Sequence, residues 1–340
     1  MRCVLAGCGR MSRAWLDAAA RIDGLELAGL VDIDREAAER QAASHGLPHA
    51  AIGTDVDEML RRTGAGILFD VVVPAARGDV VTTALKHGCH VLSEKPMAES
   101  LADAKALVQA ARAANRVHAV IQNRRYLEPV RRIKRFLASG SIGEITALNC
   151  DFFLAPRFGG FREDMAHPLL LDMAIHTFDV GRLLSGSAAA AVYCREWNPA
   201  GSWYARGASA VAVFEMQSGA IFTYRGSWCA EGLQTSWEAQ WRIIGTRGTL
   251  LWDGRESIRC EVHDEATPRD GLFAPVKTVE VPPLAAGDRV GGHFGVMQDF
   301  WAALHGGPEP ETVGHENIKS LAMVFAAIDS AAAGARVILS

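Results

Sequence analysis

Several features that would indicate a membrane, secreted or zinc-binding protein are missing from this sequence. No uninterrupted apolar stretch in the 340 residues reaches about 18 residues, so we expect no membrane span. The seven cysteines are scattered and form no C-x-x-C pair, which predicts reduced thiols in a cytoplasmic protein and neither disulfides nor a zinc site. The N-terminal apolar run after Arg2 is interrupted at Gly7, so it predicts a first strand and not a secretory signal.

An excess of positive charge is also missing. The formal net charge is −4 and the isoelectric point is about 6.3, which argues against nucleic acid as a partner. The hydrophobic fraction of 49% and the charged fraction of 22% are typical of a soluble globular protein. A chain of 340 residues is long for a single core, so we expect two domains.

A glycine-rich turn follows the first predicted strand. The apolar run Arg2 to Ala6 leads into Gly7-Cys8-Gly9-Arg10-Met11-Ser12, which is the pattern G-x-G-x-x-G with serine in the third position. The first glycine permits a tight turn, the second lets the backbone approach a pyrophosphate, and serine is a small substitute for the third. The helix that follows would point its N-terminal N–H groups at phosphates. The pattern therefore predicts dinucleotide binding.

The second predicted strand, Leu25 to Val31, ends in an acid, Asp32, twenty residues after Ser12. An acid at this place can bind the adenosine ribose hydroxyls and repel a 2′-phosphate, which favours NAD over NADP. In the alternative interpretation Asp32 is a turn acid, although Asp34 already serves to begin the next helix. Arg35 keeps NADP open, because a nearby arginine can accept the extra phosphate.

Strands and helices continue to alternate as far as residue 121. Ile67 to Val73 and Val117 to Ile121 are further buried strands, and Pro74 closes the first of them. Between them an apolar run leads into Ser93-Glu94-Lys95-Pro96, where the proline ends the strand. The alternation predicts a doubly wound parallel sheet. Ligands collect at the carboxyl ends of such strands, so Lys95 is either placed for chemistry or a solvated strand end.

From residue 144 onward the predicted strands follow one another without intervening helices. They are Glu144 to Phe153, Ala188 to Trp197, Ala208 to Met216, Ala220 to Trp228, Ser236 to Ile244 and Thr249 to Trp252. This order predicts a C-terminal α+β domain with a large, mostly antiparallel open sheet. Six of the eight tryptophans lie between residues 197 and 252, and we expect them to pack the sheet against helices or a second subunit. An uncovered sheet face predicts a homodimer or homotetramer.

One predicted helix in this second half, Leu169 to Leu184, carries Asp172, His176 and Asp179 at spacings that place them on one face. Three interpretations of the trio are open. In the first, a carboxylate orients a buried histidine; in the second, the three residues bind a metal; in the third, the helix faces a nicotinamide and His176 handles a proton. No further cluster of ligands in the sequence supports a metal.

These motifs together resemble the Gfo/Idh/MocA oxidoreductases, the family of glucose–fructose oxidoreductase and inositol dehydrogenase. The resemblance is carried by Gly7-Cys8-Gly9-Arg10-Met11, Asp32, His90 to Pro96, Asn123-Arg124-Arg125-Tyr126 and Asp172 to Asp179. The sequence departs from the family pattern at Ser12, in the absence of a histidine near Arg77, and at His167-Pro168, where a glycine-rich stretch is frequent.

The resemblance implies a Rossmann domain over residues 1–122 and a substrate-binding and oligomerisation domain over residues 123–340. It also implies hydride transfer between NAD and a secondary alcohol of a sugar or cyclitol, without a metal. Lys95 and His176 would share the handling of the proton, and Asp172 would hold an adjacent hydroxyl or tune His176. The implied cofactor contacts are Gly7, Gly9, Arg10, Met11, Asp32, Val73, Pro74, Glu94, Lys95 and Asn123. The implied polyol or sugar contacts are Lys95, Asn123, Tyr126, Asp172 and His176.

Two other functions are open at this point. Some members of the family hydrolyse glycosides through transient oxidation by NAD, and one branch binds dinucleotide or sugar as a sensor without turnover. Release of free sugar without net NADH would identify the glycosidase. The sensor is disfavoured because Lys95, Asp172 and His176 are all retained.

Overall fold

The chain forms two compact units. A computed structural model describes residues 1–339, apart from the side chain of Phe161. The first unit contains Met1–Tyr126 and Arg289–Leu321, and the second contains Leu127–Asp288 and the chain from residue 322 onward. The predicted boundary at residues 122 and 123 assigns 289–321 to the second domain, whereas that segment packs in the first unit. A β-bridge between Val313 and Ala119 is one of the contacts that hold it there.

The first unit is built on a six-stranded sheet whose neighbouring strands all run parallel. The strands are β1 Arg2–Ala6, β2 Glu26–Val31, β3 Ala51–Gly53, β4 Ile67–Asp70, β5 His90–Ser93 and β6 His118–Val120. The helices between them are α1 Ser12–Ala19, α2 Arg35–Ser44, α3 Val56–Thr63, α4 Pro74–Lys86 and α5 Leu101–Ala113. The strand order β3-β2-β1-β4-β5-β6 reverses between β1 and β4, which confirms the predicted doubly wound Rossmann sheet.

The central strands of this sheet are buried because they are mostly apolar. Cys3, Val4 and Leu5 of β1 are fully buried, as expected for a parallel sheet covered on both faces. Helix α4 begins at Pro74, the residue predicted to close the preceding strand. Proline is well suited to the first turn of a helix, where its missing N–H would have no intrahelical partner. Strand β4 already ends at Asp70, so the proline opens the helix and does not itself close the strand.

The second unit contains a nine-stranded sheet in the order β14-β13-β12-β11-β7-β10-β9-β8-β15. Its strands are β7 Ile145–Phe153, β8 Ala189–Trp197, β9 Ser209–Met216, β10 Ile221–Ser227, β11 Gln240–Gly245, β12 Gly248–Trp252, β13 Ile258–His263, β14 Val276–Val279 and β15 Val337–Ile338. Only β7 and β10 pair in parallel, and the other pairs described are antiparallel. The predicted large, mostly antiparallel sheet is confirmed, with β13, β14 and β15 added to it.

The remaining helices are short or close the chain. They are the 3₁₀ helix Asn123–Tyr126, α6 Glu128–Ala138, α7 Phe161–Asp164, the π-helix Pro168–Ala174, α8 Ile175–Ser185, α9 His293–Leu304 and α10 Gly314–Ala333. Within residues 1–339, none of the helices combines the length and apolarity needed to span a membrane.

An aromatic core lies between α8 and one face of the nine-stranded sheet. The Phe178 ring of α8 packs against Phe214 and Tyr224 with centroid distances of 4.8 and 5.1 Å. The Phe222 ring stacks on Trp241 at 6.0 Å. Trp228, Trp241 and Trp252 are all buried, as the packing interpretation predicts, whereas Trp197 and Trp237 are exposed. The opposite face of the sheet is polar and carries the ion pair Asp151–Arg225.

The predicted helix over residues 169–184 is two helices in the structure. A π-helix runs over Pro168–Ala174 and α8 continues from Ile175. Because a π-helix closes i→i+5 hydrogen bonds, the change of pitch alters which side chains share a face. Asp172 and His176 are partly exposed, but Asp179 is buried and lies 3.9 Å from Arg182. The trio therefore separates into an accessible pair and one buried carboxylate.

Candidate active site

The glycine-rich turn at the end of β1 has the shape that a bound phosphate requires. Gly7 has a φ of +96°, and a Cβ at this position would lie 2.5 Å from the backbone carbon of Val71, so only glycine fits. A Cβ at Gly9 would meet no atom within 4 Å, so the backbone there borders open space. The Ser12 hydroxyl donates to the Gly9 carbonyl at 2.6 Å. The serine that departs from the family pattern thus closes the turn by its own side chain.

Asp32 connects the end of β2 to this turn. Its Oδ2 accepts a hydrogen bond from the Cys8 N–H at 2.7 Å, and its Oδ1 accepts from the Asp34 N–H at 2.9 Å. A carboxylate has about four lone-pair directions, so both oxygens can still accept from ribose hydroxyls. Asp32 is therefore a turn acid and at the same time available to a ligand, and the two interpretations of this residue are compatible.

Exposed apolar side chains gather at the carboxyl edge of the parallel sheet. Among the described residues of the first unit, the exposed large apolar side chains are Met1, Met11, Ile33 and Val73. The last three follow β1, β2 and β4, with exposed fractions of 45, 96 and 65%. Soluble proteins rarely gather such side chains without a ligand or partner to cover them. Together with the open backbone at Gly9, this edge fits a dinucleotide with apolar rings and a pyrophosphate.

Glu94 is held in place by three contacts. Its Oε1 accepts from Trp15 Nε1 at 2.9 Å and lies 3.8 Å from His293 Nε2, and its Oε2 accepts from the Lys95 backbone N–H at 2.9 Å. Burial acts to raise the pKa of Glu94, but the contacts with His293 and Trp15 and the charge of Lys95 outweigh burial and hold the pKa below its usual value. Glu94 is therefore an anion that fixes the backbone at Lys95.

The other side of the Lys95 turn is held by a buried arginine. Arg77 Nε lies 2.8 Å from Asp70 Oδ2, Nη2 donates to the Val72 carbonyl at 2.6 Å, and Nη1 donates to the Pro96 carbonyl. Burial raises the pKa of Asp70 although Arg77 acts to lower it. The guanidinium thus joins the end of β4 to the residue after Lys95, whose peptide bond to Pro96 is cis.

Asn123 and Tyr126, the residues predicted after β6, differ in accessibility. Asn123 Nδ2 lies 3.3 Å from His293 Nδ1, while its buried Oδ1 has no hydrogen-bond partner in the described part of the chain. A buried amide oxygen of this kind is costly unless a donor reaches it, which favours a ligand contact. Tyr126 is fully buried, and its hydroxyl donates to Asp299 Oδ2 at 2.6 Å. The substrate role of Tyr126 stays a prediction.

In the second unit, Asp172 and His176 occupy the junction of the π-helix and α8. Arg162 Nε of α7 lies 2.8 Å from Asp172 Oδ2, and the Arg162 guanidinium lies 5.2 Å from the centre of the Phe158 ring. Burial, opposed by Trp203 and reinforced by Glu163 and Asp172, raises the pKa of Tyr204 to about 12. Asp172 is thus paired with Arg162 and is close enough to Tyr204 to affect its pKa. No group of three metal-binding side chains occurs in the described residues.

Sequence reasoning did not assign the residues that orient these predicted site residues. From the sequence no site role is predicted for Trp15, and Arg77 is singled out only for the histidine missing near it. A usable signal existed for Arg77, because an arginine seven residues after an acid inside a buried strand can reach that acid. No comparable signal linked Arg162 to Asp172.

Comparison with known proteins agrees with this architecture. Residues 1–122 match the model of the Gfo/Idh/MocA oxidoreductase family, NAD-binding Rossmann fold, and residues 130–251 match a C-terminal domain model of the same family. A D-apiose dehydrogenase of Paraburkholderia graminis is 28% identical, over 97% of this chain and 87% of its own. A 1,5-anhydro-D-fructose reductase of Ensifer adhaerens is 25% identical, over 97 and 96%.

A solved structure shares the whole fold. The crystal structure of an Agrobacterium radiobacter oxidoreductase in complex with NAD⁺, L-tartaric acid and magnesium has a TM-score of 0.87 at 23% identity, with 100% of this chain and 98% of that chain covered. The two domain models together account for most of the chain, and both describe one family. The chain is therefore a member of the Gfo/Idh/MocA family, an oxidoreductase whose first domain is an NAD-binding Rossmann fold.

Proposed function

We propose that this protein oxidises a secondary alcohol of a sugar or cyclitol with NAD, or catalyses the reverse reduction. The observation that carries the proposal is the double anchoring of the Lys95 turn, by Glu94 on one side and by Arg77 on the other. A lysine that only ended a strand in solvent would not need buried side chains to hold the backbone on both sides of it. The two full-length relatives named above act, by their names, on small sugars, which agrees with this substrate class.

The residues that would hold NAD are those of the carboxyl edge. Gly7 permits the tight turn, Gly9 leaves room for the pyrophosphate, and Asp32 would accept from the ribose hydroxyls. The remaining expected contacts are Arg10, Met11, Val73, Pro74, Glu94, Lys95 and Asn123. When bound, the nicotinamide supplies the hydride chemistry, so the protein itself must orient the alcohol and move one proton.

We assign the transfer of the hydroxyl proton to Lys95 and His176. One of them takes the hydroxyl proton while the other donates a hydrogen bond to the same oxygen, and a lysine acts as base only as the neutral amine. Asp172, held at 2.8 Å by Arg162, would accept a hydrogen bond from a neighbouring hydroxyl. Asn123 and Tyr126 complete the expected substrate contacts, Asn123 through its unpartnered Oδ1.

A spectrophotometric screen tests the proposal. Purified protein with NAD⁺ is offered D-apiose, myo-inositol, D-glucose and D-xylose, and formation of NADH is followed by absorbance. The reverse direction uses NADH with 1,5-anhydro-D-fructose. We expect turnover with at least one compound. Free sugar released from an aryl glycoside without net NADH would indicate the glycosidase instead. NADH binding without any turnover would indicate the sensor.

We also propose that the protein is a cytoplasmic homodimer or homotetramer that associates through the polar face of the nine-stranded sheet. That face presents the Asp151–Arg225 pair together with partly exposed Val211 and Val213. All seven cysteines are free thiols, as a reducing compartment requires. Light scattering should give a dimer or tetramer mass, and a monomer at micromolar concentration would contradict this assignment.

A further inference from the structure

A histidine and a glutamate outside the predicted site form a close pair in the second unit. His167, which precedes the π-helix, places Nδ1 2.6 Å from Oε2 of Glu196 near the end of β8. The His167 side chain is 32% exposed, whereas Glu196 is only 10% exposed. His167 is also one of the positions at which the sequence departs from the family pattern. The imidazole is therefore partly exposed to solvent, and the nearly buried carboxylate of Glu196 holds its Nδ1 in place.

The carboxylate of Glu196 occupies a space that glycine creates. A Cβ on Gly207 would lie 2.4 Å from both Cγ and Cδ of Glu196, so any side chain at position 207 would displace the glutamate. Burial raises the pKa of Glu196, and the contact with His167 acts in the opposite direction. Glu196 Oε1 is buried and has no hydrogen-bond partner in the part of the chain that the structure describes. Burying a carboxylate oxygen without a hydrogen-bond partner costs folding free energy, so packing alone does not account for this arrangement.

His167 lies directly before the helical segment that carries the predicted catalytic residues Asp172 and His176. His167, Asp172 and His176 are successive partly exposed polar residues, separated by five and four positions. The buried side of this stretch is apolar and includes Leu169, Leu170 and Met173. His167 itself precedes the π-helix with a non-helical backbone, so the three partly exposed side chains lie close along the chain at the start of one helical segment.

We propose that His167, oriented by Glu196, is a specificity-determining residue that accepts a hydrogen bond from a substrate hydroxyl through Nε2. This inference rests on the proposed function and deepens it by naming the substrate class. The carboxylate takes the Nδ1–H, which leaves the Nε2 lone pair directed away from the pair. The acceptor is matched by the hydroxyl of an uncharged sugar or polyol, whereas a sugar acid would bring its anion towards Glu196.

The test uses the screened compound with the fastest turnover and its monodeoxy forms. His167→Leu removes the acceptor, His167→Gln keeps a polar group, and Gly207→Ala displaces Glu196 without changing either partner. His87→Leu is a matched control, since His87 also lies 2.7 Å from a carboxylate, that of Asp57, and is similarly exposed. Circular dichroism and the dissociation constant for NADH establish that each variant is folded and binds the cofactor.

We expect His167→Leu to lower kcat/KM by about 10- to 100-fold on the full substrate, the usual effect of losing one hydrogen bond to a substrate group. One monodeoxy form should be turned over equally by the wild type and by His167→Leu, because the lost hydroxyl and the lost imidazole are the same contact. His167→Gln should restore part of the loss, Gly207→Ala should reproduce much of it, and His87→Leu should change nothing.

Other outcomes would overturn the assignment. Equal losses on every deoxy form, or no loss in His167→Leu, would reduce the pair to a structural contact while leaving the proposed function intact. If no compound is turned over, ligand-observed NMR with NADH present decides between the two failures. Sugar binding that His167→Leu abolishes supports the inference although the proposed function fails. Sugar binding that survives, or its absence in the wild type, refutes the inference.

Discussion

Two carboxylate–arginine pairs have the same nitrogen–oxygen distance of 2.8 Å and entirely different surroundings. In the first unit, Asp70 and Arg77 have side chains that are 0 and 1% exposed. In the second unit, Asp172 and Arg162 are 16 and 34% exposed. Both pairs adjoin a residue of the proposed chemistry. The buried pair holds backbone carbonyls, whereas the accessible pair includes Asp172, a proposed substrate contact.

The difference separates the two tasks of the protein. The first unit fixes Lys95 through regular strands and buried polar groups, because the cofactor geometry must not vary. The second unit places Asp172 on a π-helix next to the four-residue helix α7, and irregular helices of this kind recur at functional sites. Under the proposed function, burial would maintain position in one unit, and partly exposed side chains would serve recognition in the other.

The largest expected effect comes from removing the residue that the buried pair positions. Lys95→Met keeps most of the side-chain length and removes the proton carrier. Turnover should fall by about 10²–10⁴-fold, the usual scale for losing a positioned acid–base group. Affinity for NADH, measured by fluorescence titration, should change little because the turn at Gly7 and Asp32 is intact. Lys86→Met, an exposed lysine at the end of α4, is the control. Normal turnover at saturating substrate and cofactor would indicate that His176, and not Lys95, transfers the proton.

The comparison itself is tested by deleting the arginine of each pair. Arg77→Met leaves a buried carboxylate unpaired and should lower the free energy of unfolding by about 3–5 kcal/mol. Arg162→Met removes a partner of a hydrated carboxylate and should cost less than about 1 kcal/mol. Urea unfolding followed by circular dichroism measures both. Asp70→Leu combined with Arg77→Met should recover part of the loss. Equal losses of unfolding free energy in the two arginine variants would show that burial does not distinguish the pairs.

A smaller effect is expected at the ribose end of the first unit. Asp32→Ala removes the acceptor of the Cys8 N–H and the expected acceptor of the ribose hydroxyls. NAD affinity should fall by about 10- to 100-fold, as for lost hydrogen bonds to a charged group, and the preference over NADP should narrow. Asp34→Ala, which removes the N-cap of α2, should leave the NAD to NADP ratio unchanged. A wild-type preference for NADP would refute the role assigned to Asp32.

The smallest effect concerns the pH dependence of stability. Because the pKa of Glu94 is below its unfolded value, its ionised form adds stability that is complete above the ordinary glutamate pKa of about 4.3 and is lost as the pH falls through the folded pKa. The urea midpoint of Glu94→Gln should therefore approach that of the wild type in acid. Trp15→Phe, which removes one donor to Glu94, should show a weaker form of the same trend. An exposed glutamate, Glu144, changed to Gln provides the control, and a parallel pH profile for Glu94→Gln would contradict the assignment.

The sequence predicts what is local and not what joins distant residues. The parallel and antiparallel sheets follow from runs such as Cys3 to Leu5 and from strands without intervening helices, and both are confirmed. The π-helix was predicted as α-helix, because apolar spacing alone does not reveal a change of pitch over seven residues. The contact between His167 and Glu196 spans 29 residues and depends on the space left by Gly207, so no periodicity could reveal it.

Oxidation of Met11 should report whether the cofactor site of this enzyme is occupied. Its thioether is exposed at the edge that the cofactor is expected to cover, and exposed methionines are readily oxidised to the sulfoxide. Met1, exposed to 43%, lies before the opposite end of β1 and supplies an internal reference in the same molecule. Mild peroxide followed by peptide mass spectrometry should oxidise both methionines in the free protein and only Met1 when NAD is saturating. The extent of Met11 oxidation, measured relative to that of Met1, would then report cofactor binding without a substrate or an activity assay.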